Sequence, residues 1–224
     1  MVHGAAQGQP LTIIIAFSLS SQALHPKSIL WVLSMAPRRF ELVPNPPTFT
    51  DPEEAKILEA VKAQRGAAGL SELDLALLHS PKVLAGWKTF FQAIREGSSI
   101  GIANRELAIS RIGIINGMDI EFRVHSVMAL TANDATLTQA ALDHVRDTPL
   151  DDHNIGSPGP GGLEPKHVIL LAYTDAVSKS VKVSDDVFNA LKAAFDVKQI
   201  LDLTVLIAAY NAVCRIAVPL QLFQ

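Results

Sequence analysis

The segment that most constrains the fold is near the end of the chain, where residues 200–218 read ILDLTVLIAAYNAVCRIAV. A helix over 198–218 would be apolar almost all the way round. Such a helix has to sit at the centre of a core or in a subunit interface, with other elements packed about it. The rest of the chain supplies helical partners. Nowhere does the alternation of a half-buried strand appear, so the expected fold class is all-α.

Start and stop signals divide the chain. Residues 35–50 carry Pro37, Pro44, Pro46 and Pro47 and predict an extended arm. Asp51-Pro52-Glu53-Glu54 is a helix start, with a capping acid, proline at the first position and acids at the positive end of the dipole. That helix reaches about 64, near Gly66. Ser71 with Asp74 resembles a capping box opening a short helix to His79. Pro81 opens another, in which Leu84, Trp87, Phe91 and Ile94 form a packed stripe. Asn104 is the expected cap of the next helix, whose stripe is Ala108, Ile112 and Ile115 and which Asn116-Gly117 ends. Further helices are expected over 119–133, 136–146, 165–178 and 184–195. Residues 147–165 (DTPLDDHNIGSPGPGGLEP) carry no regular pattern and predict a flexible loop.

Composition narrows the function. The chain has 224 residues, 49% of them hydrophobic, and a net charge of −3. That suffices for a sizeable single core. Lys and Arg are not clustered, so no nucleic-acid partner is expected. The single cysteine, Cys214, excludes an intrachain disulfide, a CxxC redox motif or a cysteine-rich zinc site. The apolar run at 11–17 is too short to span a membrane and no Lys or Arg precedes it. Residues 1–34 are therefore expected to be an extension without functional weight, with Met35 as the start and a cytoplasmic protein from there on. The domain proper is then 51–224.

Chemistry concentrates between 105 and 130. Glu121 and His125 are four residues apart and share a helix face. Glu106, fifteen residues before Glu121, lies on the preceding helix across the Asn116-Gly117 break, so two carboxylates and an imidazole can converge. This trio is open to two readings: a group able to move protons near neutral pH, or a salt-bridged helix pair. Arg105, Arg111 and Arg123 can bind an anion or pair with these acids. Metal binding is the weaker reading, because the Glu-x-x-His spacing of bundle metal sites is missing. His153, in the loop, is expected to face solvent, and His79 to cap its helix. Cys214 reads as a small core residue, and Tyr173 and Tyr210 as core residues able to line a pocket.

Arg105-Glu106, Asn116-Gly117 and Glu121-Phe122-Arg123-Val124-His125, in that order and spacing, resemble the carboxymuconolactone decarboxylase and AhpD-like superfamily. Segments 73–100 and 172–218 extend the resemblance to about 44–222, interrupted by 147–165. The resemblance implies an all-helical bundle assembling into trimers or hexamers, with active sites in clefts near subunit contacts. In its AhpD-like branch a CxxC pair performs thiol–disulfide work. Those cysteines correspond here to Met118 and Glu121, so a thiol cycle is rejected, although Glu106 and His125 match that branch's acid–base pair. The decarboxylase branch implies a cofactor-free, metal-free lyase acting on a carboxylated lactone or related small acid. There His125 moves the proton, Glu121 sets its tautomer, Glu106 is the second carboxylate, and Arg111 or Arg123 holds the substrate carboxylate.

Overall fold

The computed structural model describes residues 38–133 and 136–223, so the expectations for residues 1–34 and for Met35 lie outside the described residues. Among the described residues there are helices and turns and no strand. The helices are α1 (Pro52–Arg65), α2 (Glu72–Leu77), α3 (Pro81–Gly97), α4 (Ile102–Ile115), α5 (Asp119–Thr131), α6 (Gln139–Asp147), α7 (Pro165–Ser180), α8 (Asp185–Ala194) and α9 (Val197–Leu220).

Local chemistry accounts for most boundaries. The Asp51 carboxylate accepts from the Glu53 and Glu54 amides, at 2.8 and 3.1 Å. Ser71 and Asp74 form the reciprocal capping box, and Asp196 with Gln199 forms another at the head of α9. Asn104 does not cap α4. Gly101 occupies that position, and the Asn104 amide donates back to the Ile100 carbonyl at 2.7 Å.

The core is built around α4, where Leu107, Ala108, Ile109 and Ile112 are all fully buried. α4 packs on α5, α6, α7 and α9. α9 is long and apolar enough to cross a membrane by length and composition, with half of its most apolar window buried. It packs on α3, α4, α7 and α8 as a core helix, burying Leu203, Leu206, Ile207 and Cys214. Removing that apolar surface from water contributes roughly 1.5–3 kcal/mol per fully buried large side chain.

α4 and α5 form an antiparallel pair closed by Gly117 in the left-handed region, φ +65°. Gly113 lets them approach: a Cβ there would stand 2.9 Å from the Phe122 amide nitrogen and 3.0 Å from Glu121 Cβ. This close contact sets the distance between the helix carrying Glu106 and the helix carrying His125.

Two loop expectations are corrected. Segment 147–165 is pinned to the core. Arg111, fully buried, donates to both Asp175 carboxylate oxygens at 2.6 Å and to the carbonyls of Val145, Thr148 and Pro149. Asp175 also accepts from the Asp151 amide and contacts His153 Nε2 at 2.8 Å. His153 therefore does not face solvent: its side chain is 2% exposed. Likewise His79 does not cap α2. Its Nε2 lies 2.8 Å from the Glu41 carbonyl and its ring meets Phe40 edge-on, tying down the 38–50 arm.

Candidate active site

Glu106 and His125 come together across the α4–α5 pair. Glu106 is fully buried and His125 is 8% exposed. His125 Nδ1 is hydrogen-bonded to Glu106 Oε2. The other oxygen, Oε1, accepts from Arg105 Nε at 2.8 Å and from Arg95 Nη2 at 3.3 Å. On the far side of the ring, Glu121 Oε2 stands 2.9 Å from His125 Nε2. This contact is ionic, and that oxygen has no other partner among the described residues. The imidazole is therefore clasped between two carboxylates.

The electrostatics follow from these contacts. Burial works to raise the Glu106 pKa, but the hydrogen bond and charge of His125, with Arg95 and Arg105, outweigh it and hold the carboxyl below its ordinary value. Burial works to lower His125, and contact with Glu106 and Glu121 overcomes this and raises it. Both shifts favour the ion pair of a Glu106 carboxylate and a protonated His125.

This group opens on a cleft of about 590 Å³ walled by α3, α5 and α9. Trp87 and Phe91, with ring centroids 4.6 Å apart and planes tilted by 30°, give it an aromatic side. Val124, Met128 and Val213 add apolar surface. Arg95 reaches in from α3, its side chain 31% exposed, and donates from Nη1 to the Tyr210 hydroxyl. Burial pushes the Tyr210 pKa up to about 12, so the phenol stays protonated and its own hydrogen is free to point into the cleft.

Of the residues singled out in the sequence, Glu106, Glu121 and His125 are brought together, and Arg105 joins them. Arg111 is not: its guanidinium is consumed by Asp175 and three carbonyls, away from the cleft. Arg123 is exposed and lines a different hollow, beside Asp119, Gln221 and Phe223. Neither lines this cleft; Arg95, which no motif marked, does. Cys214 is 1% exposed, and burial pushes its thiol up to about 12. Among the described residues no group of three or more His, Cys, Asp or Glu is arranged to hold a metal ion.

No family model matches the chain, and no curated protein does. Solved structures do. An uncharacterized peroxidase-related protein from Ralstonia eutropha JMP134, described as an alkylhydroperoxidase AhpD core, superposes with a TM-score of 0.59 at 16% identity. The match covers 81% of this chain and 89% of that one. An uncharacterized peroxidase-related protein from Silicibacter sp. TM1040 gives 0.61 at 14% identity, over 84% and 92%. At these identities the likeness is one of architecture, and what the chain shares with both is the AhpD-like all-helical fold.

Proposed function

We propose that the protein is a cofactor-free enzyme that moves a proton on a small carboxylated substrate, in the manner of a carboxymuconolactone-type decarboxylase. The observation that carries this is the His125 imidazole, held between Glu106 and Glu121 and opening on a cleft that presents the Arg95 guanidinium. Arg95 would hold a carboxylate as a charge-assisted pair. When the substrate's carbon–carbon bond to its departing carboxyl group breaks, CO2 leaves and the electron pair passes into the conjugated carbonyl as an enolate. The His125 Nε2 proton then goes to carbon, and solvent restores the imidazolium. Glu106 fixes the ring's orientation through Nδ1, and Tyr210 can donate to the enolate oxygen.

The test is CO2 release from γ-carboxymuconolactone by the wild type beside His125→Ala. Release lost by about 10²–10⁴ in the variant supports the assignment. Release that is equal in both removes it.

The fold likeness favours a second reading, an AhpD-like oxidoreductase working without the usual thiols, since both solved neighbours are described as peroxidase-related. By the sequence resemblance, Met118 and Glu121 correspond to the redox cysteines, and Cys214 is held as a buried thiol. Peroxide consumption with a dithiol reductant would favour this reading over the lyase. A third reading, a non-catalytic helical oligomer, would be left if His125→Ala and Glu106→Gln altered nothing but stability. Assembly into trimers or hexamers belongs to the same proposal, and a strict monomer by light scattering would remove it.

A further inference from the structure

Lys88 lies in the wall that the cleft shares with a second groove, of about 400 Å³, between α1 and α3. Its side chain is only 16% exposed. Nζ stands 3.9 Å from Asp74 Oδ1, within ionic reach but beyond hydrogen-bonding distance, and it has no other partner among the described residues. Asp74 is already committed. Its Oδ2 accepts from Arg65 Nε at 2.6 Å, from the Ser71 amide at 2.9 Å and from the Ser71 hydroxyl at 2.8 Å. Two cations thus share one buried carboxylate, and Arg65 has the better geometry.

An ammonium so placed is biased toward losing its proton. Burial and the neighbouring Arg65 charge both lower its pKa, and Asp74 only partly restores it. An amine desolvated beside another cation is the arrangement that makes a lysine nucleophilic. The rest of the site favours a particular partner. Arg95 is seven residues further along α3, about two turns or 10 Å of rise, on the same face. Trp87 and Phe91 lie along the same stretch of helix and give the cleft its aromatic wall.

We propose that Lys88 is a reactive amine of this cleft that forms imines with carboxylated aldehydes and ketones, Arg95 receiving the carboxylate. The Lys88 Nζ lone pair adds to the carbonyl carbon. The carbonyl oxygen takes up one proton released by the nitrogen and one from solvent and leaves as water, and a carbon–nitrogen double bond remains. The resulting iminium keeps the positive charge that Asp74 already faces.

The experiment incubates the whole protein with 4-formylbenzoate and cyanoborohydride at pH 7.5, then maps labelled lysines by peptide mass spectrometry. Cyanoborohydride delivers hydride to the iminium carbon and leaves a stable secondary amine. Lys88 should be labelled faster than exposed Lys56 and Lys192, because its lowered pKa leaves more of it as free amine and Arg95 holds the carboxylated probe beside it. Benzoate should compete at Lys88 alone, and Arg95→Gln should slow Lys88 alone. Lys88→Arg, which keeps the charge and the fold, should lose the fast label with an unchanged melting temperature. Labelling of Lys88 no faster than the surface lysines, or indifferent to benzoate and to Arg95, would overturn the proposal. None of these readouts requires turnover or His125, so the result stands apart from the decarboxylase reading.

Discussion

Arg95 and Tyr210 are 115 residues apart in the chain and meet through Nη1 and the phenol oxygen. The same guanidinium reaches Glu106 through Nη2. Its orientation is fixed from two sides, and part of it still faces the cleft. Arg95→Gln should therefore raise KM for the carboxylated substrate by about 10–100-fold, the value of about 1.5–3 kcal/mol for a hydrogen bond to a charged group. Because a lysine cannot reproduce the fork, Arg95→Lys should recover little of the loss. An unchanged KM in both variants would move substrate binding elsewhere.

The raised pKa of His125 has a defined sign. Its contribution to stability is fully present below the ordinary value of 6.5 and is lost as pH rises through the higher value in the folded protein. The rate of a reaction using its proton should fall over the same alkaline window. Glu106→Gln and Glu121→Gln each remove a charge that favours the imidazolium, so each should move that limb to lower pH. The His125 ring signals followed by NMR should move with it, and a shift toward higher pH would refute the arrangement.

Gly113→Ala tests the α4–α5 spacing. The added methyl would meet the Phe122 backbone at 2.9 Å, and overpacking of this kind costs about 1–3 kcal/mol. Melting temperature and turnover should both fall, since Glu121 and His125 ride on the displaced helix. Gly86→Ala, in α3 with open space around it, is the control. It should stabilise the fold by up to about 1 kcal/mol.

Asp175→Asn would leave Arg111 buried without its counter-charge, and breaking a buried pair costs about 3–5 kcal/mol. Residues 147–165 should then lose hydrogen-exchange protection and become sensitive to limited proteolysis. In the wild type, contacts with Arg111 and His153 overcome burial and hold the Asp175 pKa below its ordinary 3.8. That stability is present above this value and is lost as pH falls through the lower value in the folded protein, so acid should release the same segment.

The order of helices was readable because caps and apolar stripes are local: Ser71 with Asp74, and Asp51 before Pro52, act within a single turn. The convergence of Glu106, Glu121 and His125 was readable for the same reason, since one turn and one tight break relate them. Arg123 could have been set aside on geometry alone. Two positions are about 200° around a helix, so it points away from the face shared by Glu121 and His125. Arg95 gave no such signal. It follows a stripe that reads as ordinary packing, and only the fold turns Trp87, Phe91 and Arg95 toward a histidine on another helix. The 147–165 segment misled through its composition. Proline and glycine mark a chain that makes no helix, but they do not reveal that Asp175, far along the sequence, holds His153 and the Asp151 amide in place.

The close-packed α4–α5 pair holds Glu106, Glu121 and His125, while α3 supplies the aromatic wall together with Lys88 and Arg95. Arg95 hydrogen-bonds across from α3 to α4 twice, by its guanidinium to Glu106 and by its carbonyl from Arg105. The molecule is thus divided like a lock whose bolt and wards are cut from separate pieces, with Arg95 bonded to both. Exchange of Trp87 can change which acids enter, provided that Arg95 stays in place and Phe91 stays against the Tyr210 ring.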